Sequence, residues 1–214
     1  VIEISSQYKI PLFLIASRRQ IDSERFNGGY VNNWDTREFS EYVFNNDKLG
    51  NVILARDHGG PWQNNLEIEK ELSLRKAMES AKLSFQDDID AGFQFLHLDP
   101  SIDIHAKPKV DEVIERLLEL YEFCWSYAQK SGKDIAFEIG TEEQSVGTNS
   151  KEELDYSLSK VNHFCKKNNI PKPTFVVIQT GTKVLETKNV GSFDSPLRIL
   201  DEVPPEIQIP QMLH

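Results

Sequence analysis

Asp57 and His58 close the apolar run Val52-Ile53-Leu54 and are followed at once by Gly59-Gly60-Pro61. An acid beside an imidazole, at the point where a strand breaks, puts a proton carrier and a metal ligand side by side. Related groups recur downstream. His97 and Asp99 end the run Phe93–Asp99, Glu138 lies near the end of Asp134–Gly140, and Gln179 closes Thr174–Gln179. Strand side chains alternate faces, so neighbours can be sorted. Leu96 and Leu98 share one face, and His97 and Asp99 lie on the other with Phe93 and Phe95. Ile135, Phe137 and Ile139 form an apolar face opposite Ala136, Glu138 and Gly140, and Gln179 shares a face with Phe175 and Val177.

A buried carboxylate or imidazole costs on the order of several kcal/mol unless it is paired or bound to a metal. Polar groups delivered inward at one depth by successive strands therefore point to a functional site; a satisfied polar network in the same place is the alternative. Asp57 and Glu138 are the candidate catalytic carboxylates. His58 and His97 are candidate metal ligands, with a turn histidine as the other reading of His58. Glu142, in the Gly140-Thr141-Glu142-Glu143 segment, is a third candidate ligand or a solvated acid. Arg18, Arg19 and Gln20 follow the first strand, where an arginine can bind phosphate bidentately or serve as a solubilising charge. These three, with Asp99 and Gln179, are the candidate substrate-binding residues. His105 and His163 read as bystanders.

The elements that must position these groups alternate between short apolar runs and longer helical patterns, the signature of βαβ units and a parallel sheet. Strands are expected over Pro11–Ser17, Asn51–Asp57, Phe93–Asp99, Asp134–Gly140 and Thr174–Gln179. Asp35 and Glu38 form a capping box for a helix over Thr36–Asn46, and a polar helix over Leu66–Phe85 follows the second strand. Val113, Leu117, Leu120, Tyr121, Cys124 and Ala128 recur at helical spacing over Val110–Lys130. Ser150 and Glu153 cap a helix carrying Leu154, Leu158, Val161 and Cys165. Beyond Gly181 the pattern weakens, with a short helix over Pro196–Glu202 and a sixth strand over Glu206–Pro210 expected.

Five or six β/α units in a row suit a (βα)8 TIM barrel, incomplete within residues 1–214 because a whole barrel takes about 250 residues. Residues 1–214 read as a single barrel-type domain, the N-terminal part of a longer barrel. An open flavodoxin-like sheet is the structural alternative. A net charge of −10 and a pI near 5.0 argue against a nucleic-acid partner. No run approaches the roughly 20 apolar residues that span a bilayer, so no membrane association is expected. Two cysteines, Cys124 and Cys165, make no disulfide framework and suit a reduced, cytoplasmic setting.

These pieces together resemble the non-catalytic subunit of class II tagatose-1,6-bisphosphate aldolase and its relatives. The resemblance covers about residues 11–185. It is carried by Arg19-Gln20 with Gly28-Gly29-Tyr30, by Arg56-Asp57-His58-Gly59-Gly60-Pro61-Trp62-Gln63, by Leu96-His97-Leu98-Asp99 and by Gly140-Thr141-Glu142. Class II fructose-bisphosphate aldolases are more distantly similar, through Asp57-His58 and Glu138-Ile139-Gly140. That likeness implies Asp57 as acid/base, His58 on a divalent metal such as zinc, and Glu138 or Glu142 completing the near side. The implied chemistry is metal-assisted aldol cleavage or epimerisation of a ketose or ketose phosphate. The alternative is a non-catalytic subunit that stabilises an aldolase partner. A sugar or sugar phosphate, a catalytic aldolase subunit and a second copy of the chain are the partners so implied.

Overall fold

A computed structural model describes residues 1–140, 151–178, 182–185, 188–191 and 211–213 of the chain. Its main sheet has six parallel strands. These are β1 (Leu12–Ser17), β2 (Val52–Gly59), β3 (Phe95–Leu98), β4 (Ala136–Ile139), β5 (Phe175–Ile178) and β8 (Gln211–Leu213), side by side in chain order. A flavodoxin-like sheet would reverse its order beside the first strand. The unbroken order here is that of an incomplete (βα)8 barrel. β6 (Thr182–Leu185) and β7 (Lys188–Gly191) form a separate antiparallel hairpin that the sequence pattern does not announce.

The helices are α1 (Ile2–Tyr8), α2 (Thr36–Asn46), α3 (Asn65–Glu69), α4 (Leu74–Ala91), α5 (Val110–Lys130) and α6 (Lys151–Asn168). α2 and α5 match their expected spans, and the Asp35–Glu38 capping box closes reciprocally. The single helix expected over Leu66–Phe85 is instead two. Glu71, at φ 45°, turns the chain between them, and α4 then runs on to a left-handed Gly92. The expected sixth strand at Glu206–Pro210, the helix at Pro196–Glu202 and the Ser150 cap fall outside the described residues; the strand beside β5 is Gln211–Leu213.

Alternation decides where the core sits. Leu54, Leu96, Leu98, Phe137 and Ile139 face α4 and α5 and are buried with Phe85, Ile89, Leu117, Leu120, Tyr121 and Cys124. Tyr121 and Phe137 bring their ring centres within 4.2 Å. The opposite face of the sheet carries Phe13, Phe95 and Phe175, whose rings meet edge to face at 5.2 and 5.7 Å. The leucine face of β3 is therefore the helix side, as its pattern implies, and His97 is left on the barrel side.

Candidate active site

β2 sets the geometry of the site by ending irregularly. Arg56 pairs with Leu96 of β3, but Gly59, not His58, pairs with Leu98, so one extra residue bulges out of the strand. His58 takes up this bulge with φ 42°. An ideal strand would send Asp57 and His58 to opposite faces; the bulge re-aims His58 to the side of Asp57. Gly59 is required next, because a Cβ there would lie 2.3 Å from the Phe85 ring of α4. A Cβ on Gly60 would lie 2.1 Å from the Asp99 carbonyl oxygen. Two glycines thus let the loop after β2 press against β3 and α4.

Asp57, His58 and His97 converge, with one ligand atom from each within 4.8 Å of the others. His97 Nδ1 lies 3.4 Å from Asp57 Oδ1 and 3.7 Å from Glu138 Oε2, and His58 Nε2 lies 3.8 Å from Asp57 Oδ1. His97 and Glu138 are direct cross-strand partners of β3 and β4. Asp57 and His58 are 26% and 30% exposed, whereas His97 and Glu138 are buried, so the cluster has an open front and a dry back. Burial pushes the Glu138 carboxyl above its usual range; the neighbouring His97 opposes this and the Asp57 charge adds to it. Glu138 Oε1 is buried with no hydrogen-bond partner among the described residues.

Asp99, expected from sequence to meet substrate, is instead fully buried behind His58. Its Oδ2 accepts from Gln63 Nε2 at 2.9 Å and lies 2.7 Å from His58 Nδ1; its Oδ1 accepts from the Ser101 amide at 3.1 Å and from the Ser101 hydroxyl. Burial acts to raise the Asp99 carboxyl, but these hydrogen bonds and the two histidines outweigh it and hold it below its usual range. A carboxylate behind a ring nitrogen is the arrangement that orients a metal-binding histidine. Two imidazoles and a carboxylate in one cluster are a donor set compatible with a divalent cation, zinc among them.

The remaining sequence candidates are dispersed. Arg18 is 1% exposed and turned away from the front: Nε bonds Asp22 at 3.0 Å, and Nη1 bonds Glu67 and the Gly60 carbonyl, both at 2.8 Å. Arg19 is exposed, and Gln20 accepts from the Ser17 amide at 2.9 Å, at the end of β1. Glu142 and Gln179 lie outside the described residues. Arg56, a neighbour of the motif, is fully buried against Asp88 of α4. Gln63, in the segment between β2 and α3, has no role in the sequence reading beyond its place in Gly59-Gly60-Pro61-Trp62-Gln63.

Among curated proteins none matches the chain. Of solved structures, a probable tagatose 6 phosphate kinase from Sinorhizobium meliloti 1021 superposes with a TM-score of 0.74 at 17% identity. The alignment covers 100% of this chain and 54% of that one, so the chain spans about half the length of this neighbour and shares its fold. A lysine/ornithine decarboxylase from Vibrio vulnificus aligns at a TM-score of only 0.37 and 12% identity, over 99% of this chain and 52% of that one. A family model described as D-tagatose-1,6-bisphosphate aldolase subunit GatZ/KbaZ-like matches residues 2–183. A match over that span, carrying the strand ends that build the cluster, means that the chain belongs to the D-tagatose-1,6-bisphosphate aldolase subunit GatZ/KbaZ-like family.

Proposed function

We propose that Asp57, His58 and His97 hold a divalent cation, zinc by donor type, and that the mouth of the barrel acts on a ketose or ketose phosphate by aldolase- or epimerase-type chemistry. The convergence of these three residues is the observation that carries the reading. A cation bound there supplies Lewis-acid polarisation of the sugar carbonyl. Glu138, whose carboxyl is held above its usual range by burial, is the group proposed to exchange a proton at the dry back of the site. Asp57, partly exposed at the front, is the group that takes a proton from a sugar hydroxyl. Arg19 and Gln20, after β1, are the residues proposed to meet a substrate phosphate, and Glu142 is a further ligand candidate. In tagatose 1,6-bisphosphate, retro-aldol cleavage breaks the bond between C3 and C4, and epimerisation at C4 uses the same cleavage and its reversal.

The family name favours a second reading, in which the chain supports a catalytic aldolase subunit and performs no chemistry. Incubating the zinc-loaded chain alone with tagatose 1,6-bisphosphate tests the choice. Release of triose phosphates or formation of the C4 epimer, lost in Glu138→Gln, is the expected result. No turnover alone, together with a rise in the activity or thermal stability of an added class II aldolase, overturns the catalytic reading in favour of the supporting one.

A further inference from the structure

The loops that leave β1 and β2 enclose a cleft of about 180 Å³ at the same end of the sheet as the cluster. Ser17, the last residue of β1, pairs with Asp57, so the first loop starts one strand spacing from the cluster, about 4.8 Å. The two loops are sewn together under the cleft. Arg18 donates to the Gly60 carbonyl at 2.8 Å, and Asn64 donates to Asp22 at 2.8 Å. The first loop then folds back on itself: the Tyr30 amide donates to the Arg19 carbonyl at 3.1 Å, and the Val31 amide to the Gln20 carbonyl at 3.0 Å. This close return needs Gly29, where a Cβ would lie 2.0 Å from the Gln20 carbonyl oxygen. Backbone hydrogen bonds therefore hold Arg19 and Tyr30 side by side, with both residues exposed.

We infer that this cleft is the subsite for a single phosphate group of the substrate, bound by Arg19, Tyr30, Asn27 and Asn65; the inference rests on the ketose phosphate reading above. The exposed groups that line it can all donate hydrogen bonds: a guanidinium, a phenol hydroxyl and two carboxamides. Among the described residues no carboxylate lines it, in a chain with 34 acidic residues against 24 lysines and arginines. Arg18 also lines the cleft, but its charge is spent on Asp22 and Glu67. Arg19 has no ion pair among the described residues, so its charge is the one left for an incoming anion. Donors grouped around a free guanidinium fit the oxygens of a phosphate monoester, which arginine binds bidentately. A site that encloses a whole small ligand runs to roughly 300–1,000 Å³, so a cleft of this size takes one end of the molecule and leaves the sugar over the strand ends.

Titrating the chain in the presence of a chelator, with nitrogen–proton spectra read at the Gly28 and Gly29 amides, tests the cleft without the cluster. D-Tagatose 6-phosphate is expected to shift both amides to saturation. Free D-tagatose at the same concentrations should leave them in place, and inorganic phosphate should bind more weakly than the sugar phosphate. Arg19→Gln should weaken the sugar phosphate about tenfold or more, and Tyr30→Phe about two- to fivefold. Both side chains are exposed, so each variant should melt with the wild type. No saturable shift, affinity unchanged in both variants, or free tagatose binding as tightly as its phosphate would overturn the inference. Inorganic phosphate binding as tightly as the sugar phosphate would overturn it as well, leaving a site for a free anion. A chain that binds the sugar phosphate here but turns nothing over when loaded with zinc would sink the catalytic reading and leave the subsite intact.

Discussion

Two groups of buried charge lie within a few residues of each other along β2, and they are built in opposite ways. On the helix side, Arg56 bonds Asp88 through Nε and Nη2 at 2.8 and 2.6 Å, and its Nη1 bonds the Ala16 and Ile21 carbonyls at 2.9 and 2.6 Å. Arg18 is tied in the same way to Asp22, Glu67 and Gly60, and Asp22 also accepts from Ser23, Ser84 and Asn64. Phe93 and Phe26 lie about one ring-contact distance away, 5.1 and 5.3 Å from the two guanidinium carbons. On the barrel side, Asp57 and His58 are partly exposed, the closest contacts between the two histidines and Asp57 are 3.4 and 3.8 Å, and Glu138 keeps an unpartnered oxygen among the described residues. The first arrangement is saturated and closed; the second is loose, open at the front and rich in acceptors. Saturation marks a charge that holds the fold, and loose convergence at strand ends marks one that can take a ligand.

The comparison is broken most severely by removing one partner of the closed pair. Asp88→Ala leaves the Arg56 guanidinium buried and uncompensated, and urea unfolding should show a loss of about 3–5 kcal/mol. Replacing both residues by apolar ones, Arg56→Met with Asp88→Leu, should recover most of that loss, because the penalty belongs to the orphaned charge. Gly59→Ala comes next. Its Cβ would strike the Phe85 ring, and the strain should cost about 1–3 kcal/mol in the same measurement.

Glu138 gives a smaller effect with a definite sign. Its folded-state value is raised, so the folded chain binds this proton more tightly than the unfolded chain does. Stability should therefore fall as pH rises from the unfolded value of about 4.3 through the folded one. Glu138→Gln removes that fall, so stability curves of the variant and the wild type should separate with rising pH, the variant being the more stable. Asp57→Asn should have the smallest effect on stability, within about 0.5 kcal/mol, since the residue is partly exposed and its contacts to His97 and His58 are long, at 3.4 and 3.8 Å.

Sequence pattern made the barrel side legible because the information is local. A period of two in Phe93–Asp99 and Asp134–Gly140 is enough to place His97 and Glu138 on one face, and the structure pairs them. Asp57 and His58 were readable as a strand end, but the one-residue bulge that brings them together depends on the register with β3, which pattern does not encode. The helix side was not legible. Arg18 looks like a phosphate ligand from its position after β1, and only the arrival of Asp22, Glu67 and the Gly60 carbonyl from separate segments gives it a structural part. Arg56 likewise depends on Asp88, 32 positions away on α4. Gln63 is hidden for the same reason, since its partner comes from the end of another strand.

Zinc titration of the purified chain, followed calorimetrically for the wild type, Asp57→Asn and His97→Ala, tests the central claim most directly. The account predicts one zinc per chain in the wild type, with affinity lost or strongly weakened in both variants while each keeps its fold by circular dichroism. A wild type that binds no zinc, or folded variants that bind it as tightly as the wild type does, would contradict it.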